Sequence, residues 1–237
     1  MVPEIILIGG GSSIKEGLSL GLKEKIKDRC IFTLNFSFYH FDSTATIFVD
    51  DQFYIGNLKG TVLKEEYNQD HVEKIKQLPL VIGARRKYMN FYSNTIPLPF
   101  AFSYFHNIPI KKGFYVGDKP LTGIFALHIA AYLLDYKGII YCLGFDGGTI
   151  EGSSTHYYDD IKHRGIGKID VYRESPDFFF RKFLVEKELT IYNVSPNSNI
   201  RSFQKITYPE MFEKLTNETY DQNDLRNYIK EKLEWKK

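Results

Sequence analysis

The densest collection of proton-transferring and anion-neutralising side chains lies in one short stretch, which holds Ser153, Ser154, His156, Tyr157, His163 and Arg164. Imidazoles give and take protons near neutral pH, and a guanidinium and a phenol beside them can steady a departing phosphate. A single histidine in a solvated loop is ordinary; two histidines with a neighbouring arginine make the chemical reading. A second collection is Gly9-Gly10-Gly11-Ser12-Ser13, where unhindered backbone N–H groups at a strand-to-helix turn suit a phosphate. The run departs from both G-x-G-x-x-G and the P-loop, and a tight turn required only by chain geometry explains it equally well. Asn35, Asp50 and Asp51 follow apolar runs. There an amide can orient a sugar or base and carboxylates can hold a ribose hydroxyl or Mg²⁺, although Asp50 and Asp51 equally well cap a helix or turn. Thr122-Gly123 opens an apolar helix, as an N-cap or as the floor of a nucleotide site. Asp146 ends a buried run, where its charge must meet a partner or solvent. Neither spacing nor cysteines make His156 and His163 a zinc site.

These residues need a frame. Ile5-Ile6-Leu7-Ile8, Ile31-Phe32-Thr33-Leu34, Ala45-Thr46-Ile47-Phe48-Val49 and Leu80-Val81-Ile82-Gly83 read as short buried strands. Leu121 to Asp135, apolar nearly all round, reads as a buried helix leading into the strand Ile139 to Leu143. The prolines at 97, 99 and 109 restrict the aromatic stretch after Asn90 to loops and short strands. Gly144 to Lys168 reads as a long loop, Phe178 to Glu188 as helix, Leu189 to Tyr192 as strand, and Ser195-Pro196-Asn197-Ser198 as a turn. Two short amphipathic helices follow from Pro209 onward. Strands alternating with helices imply a Rossmann-like α/β domain over residues 1–205, its mainly parallel sheet covered by helices on both faces, with a C-terminal helical extension over 206–237. Residues 144–170 are expected to form a mobile loop or lid.

Composition narrows the function classes. With 43% hydrophobic and 16% aromatic residues the chain can bury a substantial core. A net charge of +2 is too balanced for a protein that coats duplex nucleic acid or anionic membrane. Cys30 and Cys142 sit inside apolar runs and read as buried hydrophobes in a reducing compartment. The start lacks a basic leader and no stretch is long enough to span a bilayer, so a cytoplasmic protein is expected.

Read in order, Ile6 to Glu16, Thr33-Leu34-Asn35-Phe36-Ser37-Phe38-Tyr39, Thr122-Gly123-Ile124, Tyr141 to Asp146 and Val194 to Ser198 resemble two related groups. One is the bacterial sialyltransferases of the Campylobacter lipooligosaccharide type, with a Gly-x-Gly-Pro-Ser-Leu start, an Asn-x-Phe-Tyr segment, a Thr-Ser-Gly helix start and a Pro-Asn-Ser turn. The other is the 6-hydroxymethylpterin diphosphokinase-like family, which shares the glycine-rich opening and the strand-end Asp. The resemblance runs from about residue 4 to residue 200. The first group implies that Gly9, Gly10, Gly11 and Ser12 surround the nucleotide phosphate and that Asn35 meets the sugar or nucleotide. It further implies that Thr122, Gly123 and Gly144 line the base and ribose pocket, with Asp146, Asn197 and Ser198 at the nucleotide. His163 would be the base on the acceptor hydroxyl, with Arg164 and Tyr157 or Tyr158 at the leaving group, and His156 is a further catalytic candidate of the same loop.

This chain departs from the group where Ser12 replaces its Pro and Gly147 replaces a Tyr after the strand end. Asp50-Asp51 would also repel a CMP-sugar carboxylate unless a cation lay between. The resulting expectation is a transferase moving a sugar from a nucleotide-sugar donor to a hydroxyl of a small-molecule or glycan acceptor, without a cofactor. The alternative is a diphosphokinase using ATP and Mg²⁺ at Asp50 and Asp51. A third reading is a non-catalytic nucleotide-binding protein. The aromatic surplus between Asn90 and Tyr115 suits a lid or the contact of a homo-oligomer.

Overall fold

The structure is a computed structural model that describes residues 2–56, 65–85, 90–99, 122–147, 157 and 189–233. Apolar runs too short for helices form the strands β1 (Glu4–Ile8), β2 (Ile31–Leu34), β3 (Ala45–Phe48), β4 (Val81–Arg85), β5 (Thr95–Pro99), β6 (Gly138–Leu143), β7 (Leu189–Asn193) and β8 (Gln204–Lys205). They pair, all parallel, in the order β5-β4-β3-β2-β1-β6-β7-β8. β5 occupies one edge, the position where the missing N–H groups of Pro97 and Pro99 are tolerated. β1 lies between β2 and β6 with Ile6 opposite both Ile31 and Tyr141.

Alternation along each strand divides the core in two. Ile5, Leu7, Phe32, Leu34, Ile47 and Ile140 face one side, against α5 (Thr122–Leu133) and α7 (Gln222–Leu233). Ile6, Ile8, Phe48, Val81, Tyr141 and Leu143 face the other. There they meet α1 (Ile14–Ser19), α2 (Leu22–Lys25), α3 (Asp51–Ile55), α4 (Glu65–Gln77) and α6 (Tyr208–Lys214). The protein is therefore a Rossmann-like α/β structure with helices on both sheet faces, as its strand and helix alternation requires. The C-terminal helices pack on the sheet: α6 buries Tyr208 and Met211 on one face, and α7 buries Leu225, Ile229 and Leu233 on the other. Among the described residues no helix is long and apolar enough to cross a membrane. Both cysteines are buried free thiols, and burial pushes each thiol up, away from reactive thiolate.

The first helix of the C-terminal pair shows how local sequence sets an element. Thr207 accepts from the Glu210 amide while the Glu210 carboxylate accepts from the Thr207 amide at 2.7 Å, and a proline stands at the helix start. Hydrogen bonding to Thr207 also holds the Glu210 carboxyl below its ordinary range. Thr207→Ala is expected to cost about 1 kcal/mol, read as a lower urea midpoint with an unchanged denaturant slope.

Candidate functional site

In a parallel sheet ligands lie beyond the carboxyl ends of the strands, above all where the chain reverses its direction of travel across the sheet. Here that point is between β1 and β6. The topology collects most of the residues singled out in the sequence on that edge: Gly9 to Ser12 after β1, Asn35 after β2, Asp50 after β3, Gly144 and Asp146 after β6, and Asn197 and Ser198 after β7. Helix α5 runs back toward the start of β6, which brings Thr122 and Gly123 to the same edge.

The β1/β6 corner is closed by the protein itself. The Gly9 amide donates to the Leu143 carbonyl at 2.8 Å and the Gly11 amide to the Gly144 carbonyl at 3.0 Å. The buried Asp146 carboxylate reaches across and accepts from the Ser13 amide at 3.0 Å, from the Ser12 hydroxyl at 3.3 Å and from the Ser13 hydroxyl at 2.5 Å. Gly11 permits this approach, because a Cβ there would stand 2.5 Å from the Asp146 carboxyl carbon and 2.7 Å from the Gly144 oxygen. The Gly9 and Gly11 amides and the Ser12 hydroxyl, expected at a phosphate, here face acceptors of the protein itself. These donors are spent on Leu143, Gly144 and Asp146, and α1 is only 6 residues long. Asp146 likewise serves as the internal partner of the first turn, which answers what its buried charge meets.

A second corner, between β2 and the start of α5, is built differently. Asn35 has a left-handed backbone, φ 50°, directly at the end of β2. Asn is among the few side chains that adopt this conformation readily. Its Nδ2 makes a long contact of 3.4 Å to the Thr122 hydroxyl, and its Oδ1 is buried with no hydrogen-bond partner among the described residues. A buried amide oxygen left unpaired costs on the order of 1–3 kcal/mol, so the site is poised to accept a hydrogen bond from something else. Beside it stand Thr122 and Gly123, the first described residues of the 12-residue α5. Gly123 lies against the Phe145 ring, 3.0 Å from where its Cβ would be. Thr122 and Gly123 are partly exposed.

The remaining expected residues sort by their hydrogen bonds. Ser198 is buried and donates to the Phe145 carbonyl at 2.7 Å while accepting from Asn193 and from the Ile200 amide. It is a clasp between β6 and β7 and has no capacity left for a nucleotide. Asn197 is exposed on the same turn. Asp50 is exposed and its carbonyl accepts from the Tyr54 amide at 3.4 Å, and Asp51 is the first residue of α3. Among the described residues no group of three His, Cys, Asp or Glu side chains stands where it could hold a metal. The loop residues His156, His163, Arg164 and Tyr158 lie outside the described residues.

Tyr157 is described, and it is buried. Its amide donates to the Gly10 carbonyl at 3.1 Å, its hydroxyl to the Ser37 carbonyl at 3.4 Å, and its ring meets His40 and Phe41 edge-on. Tyr157 thus locks onto the first turn, while Tyr158, the other tyrosine expected at the leaving group, lies outside the described residues. Two residues of this region were not anticipated. Ser37 donates to the Gly9 carbonyl at 2.9 Å, and Phe145 walls the α5 start. Ser37 lies two residues past Asn35 in the same 3-10 turn, which is the only signal the sequence offers for it. No protein-family model, no curated protein and no solved structure matches this chain.

Proposed function

We propose that this protein is a nucleotide-dependent transferase of the glycosyltransferase type, with its donor lying across the strand edge between Asn35 and the start of α5. The observation that carries the reading is the buried Oδ1 of Asn35, without a hydrogen-bond partner among the described residues, beside the first described residues of α5. A ribose hydroxyl or a base amine would complete Asn35, while the donor phosphate would take the first-turn amides of α5. The first-turn glycines then serve a different purpose from the one their spacing suggested. They hold β1 and β6 together so that β2 and α5 can form the seat.

In such a transfer the acceptor oxygen forms the new bond to the anomeric carbon. The bond from that carbon to the phosphate oxygen breaks, and its electron pair leaves with the nucleotide. His163 would take the acceptor proton and Arg164 would neutralise the departing phosphate, both as the family resemblance implies.

Thermal unfolding with CMP, ATP and nucleotide sugars tests the seat. A ligand at about a hundred times its dissociation constant adds about 2.7 kcal/mol, which raises the melting temperature of a chain this long by roughly 5–10 °C. Asn35→Gly keeps the left-handed backbone and deletes the oxygen, so it should fold normally and lose the shift. His163→Ala should retain the shift and lose turnover. If no nucleotide stabilises the protein, the seat does not exist. If nucleotides bind and no donor is consumed with any acceptor, the non-catalytic reading replaces the transferase.

A further inference from the structure

We infer that the cavity between α2, the loop over residues 38–44 and the start of α7 is a binding site for a small anionic sugar, a ring that carries a phosphate or carboxylate beside free hydroxyls. The cavity holds about 350 Å³, at the small end of the roughly 300–1,000 Å³ typical of ligand sites. This inference is independent of the nucleotide seat at Asn35, which is not part of its lining.

Three cations from two separate parts of the fold meet here: Lys23 and Lys27 from α2 and the turn after it, and Arg226 from α7. None of the three makes an ion pair among the described residues, whereas the neighbouring Arg29 is paired with the buried Glu4 at 2.7 Å. Arg226 is the best positioned. Its Nε and Nη2 donate to the Thr44 and Ser43 carbonyls at 3.2 and 3.3 Å, and its Nη1 donates to Asn223 at 3.3 Å. Three carbonyl-type acceptors fix the plane of the guanidinium, the Asp221 carboxylate acts on it electrostatically without an ion pair among the described residues, and two of its five N–H groups remain for an anion. The Lys23 ammonium stands 5.6 Å from the centre of the Phe41 ring, so the chain's cationic and aromatic walls are continuous.

The other lining groups say what accompanies the anion. Phe38 and Tyr39 stack on each other with centroids 4.3 Å apart, and Tyr39 is further covered by His71 and by the Lys74 ammonium 4.5 Å from its ring centre, so the partly exposed Phe38 is the aromatic surface offered to the C–H face of a ring. Asp28 and Asp42 are exposed carboxylates on the rim, also without ion pairs among the described residues. Both carboxylates repel any anion, so only a ligand whose hydroxyls donate to them offsets that repulsion, which a bare inorganic anion cannot do. A sugar uses all three kinds of wall, with cations for its charge, carboxylates for its hydroxyls and aromatic faces for its ring.

Titration calorimetry on the full chain with glucose 6-phosphate, glucuronate, glucose and inorganic phosphate tests this. Glucose 6-phosphate or glucuronate, or both, should bind, glucose should not, and inorganic phosphate should be at least tenfold weaker than the sugar phosphate. The preferred sugar identifies which anion the cations take. The exposed pair Lys23→Gln with Lys27→Gln should weaken binding tenfold or more without touching the fold, and Arg226→Gln should abolish it. Should Arg226→Gln fail to fold, the lysine pair decides. Asn35→Gly should leave the sugar affinity unchanged while losing the nucleotide-induced shift. The inference is overturned if neither anionic sugar binds, if inorganic phosphate binds as well as the sugar phosphate, if the lysine pair is without effect, or if Asn35→Gly removes the binding.

Discussion

Asp146→Ala is expected to lower the unfolding free energy by about 3 kcal/mol, with a melting temperature about 10 °C lower. The carboxylate is buried and accepts from one amide and two hydroxyls. The two serine hydroxyls can turn to other acceptors, but the Ser13 amide cannot, and the vacated space lies at the junction of β1, β6 and α1. Asp146→Asn should recover part of the loss, because its remaining oxygen can still accept. Gly11→Ala gives an independent check, since its methyl would overlap the Asp146 carboxyl at 2.5 Å. The cost of Gly11→Ala should therefore shrink in the Asp146→Ala background, leaving only the 2.7 Å approach to the Gly144 oxygen. Equal stability of Asp146→Ala and the natural protein in urea titrations would show that the carboxylate does not hold the corner closed.

A second large effect is expected from mild acid. His71 is buried, with Nε2 donating to the Phe53 carbonyl at 2.8 Å and Nδ1 accepting from the Tyr39 hydroxyl at 2.8 Å. Burial holds it down to about 4. His128, inside the apolar helix α5, is held down to about 3 by burial. Both bind protons in the unfolded chain near pH 6.5 and resist them when folded. Between about pH 6.5 and 4 the unfolded state binds more protons, so stability rises with pH in that window and is lost as pH falls through it. Each histidine contributes about 3 kcal/mol to that loss by about pH 4. Between about pH 6 and 5, where exposed carboxylates stay mostly ionised, the slope should approach two protons, about 2.7 kcal/mol per pH unit. His128→Leu should halve it. An undiminished slope in His128→Leu would place the acid sensitivity elsewhere.

Much of this protein could be read from residue order. Uniformly apolar runs such as Ile5 to Ile8 and Ile139 to Leu143 cannot be half-exposed, so they must be strands buried on both faces, and alternation with helices makes the sheet parallel. Parallel connection in turn puts every strand's end on one edge. That is why the order of residues along the chain is enough to assign Gly9, Asn35, Asp50, Thr122, Gly144 and Asp146 to a common neighbourhood. Other elements left weaker traces. β5 contains two prolines and is legible only once its edge position is known, and β8 has only two residues.

Which of those neighbours touch was decided by the tertiary structure. Glycines followed by serines read alike whether the anion they face is a phosphate or a carboxylate 133 residues away in the chain, because the donors are the same. Only the pairing of β1 with β6 brings Asp146 to them. The approach of Asn35 to Thr122 is likewise a contact between residues 87 apart, which the order of the sequence alone does not reveal. Local sequence specifies periodicity, capping and the sheet edge because those depend on neighbours along the chain. The partner of each polar group on that edge depends on long-range pairing, which the fold alone supplies.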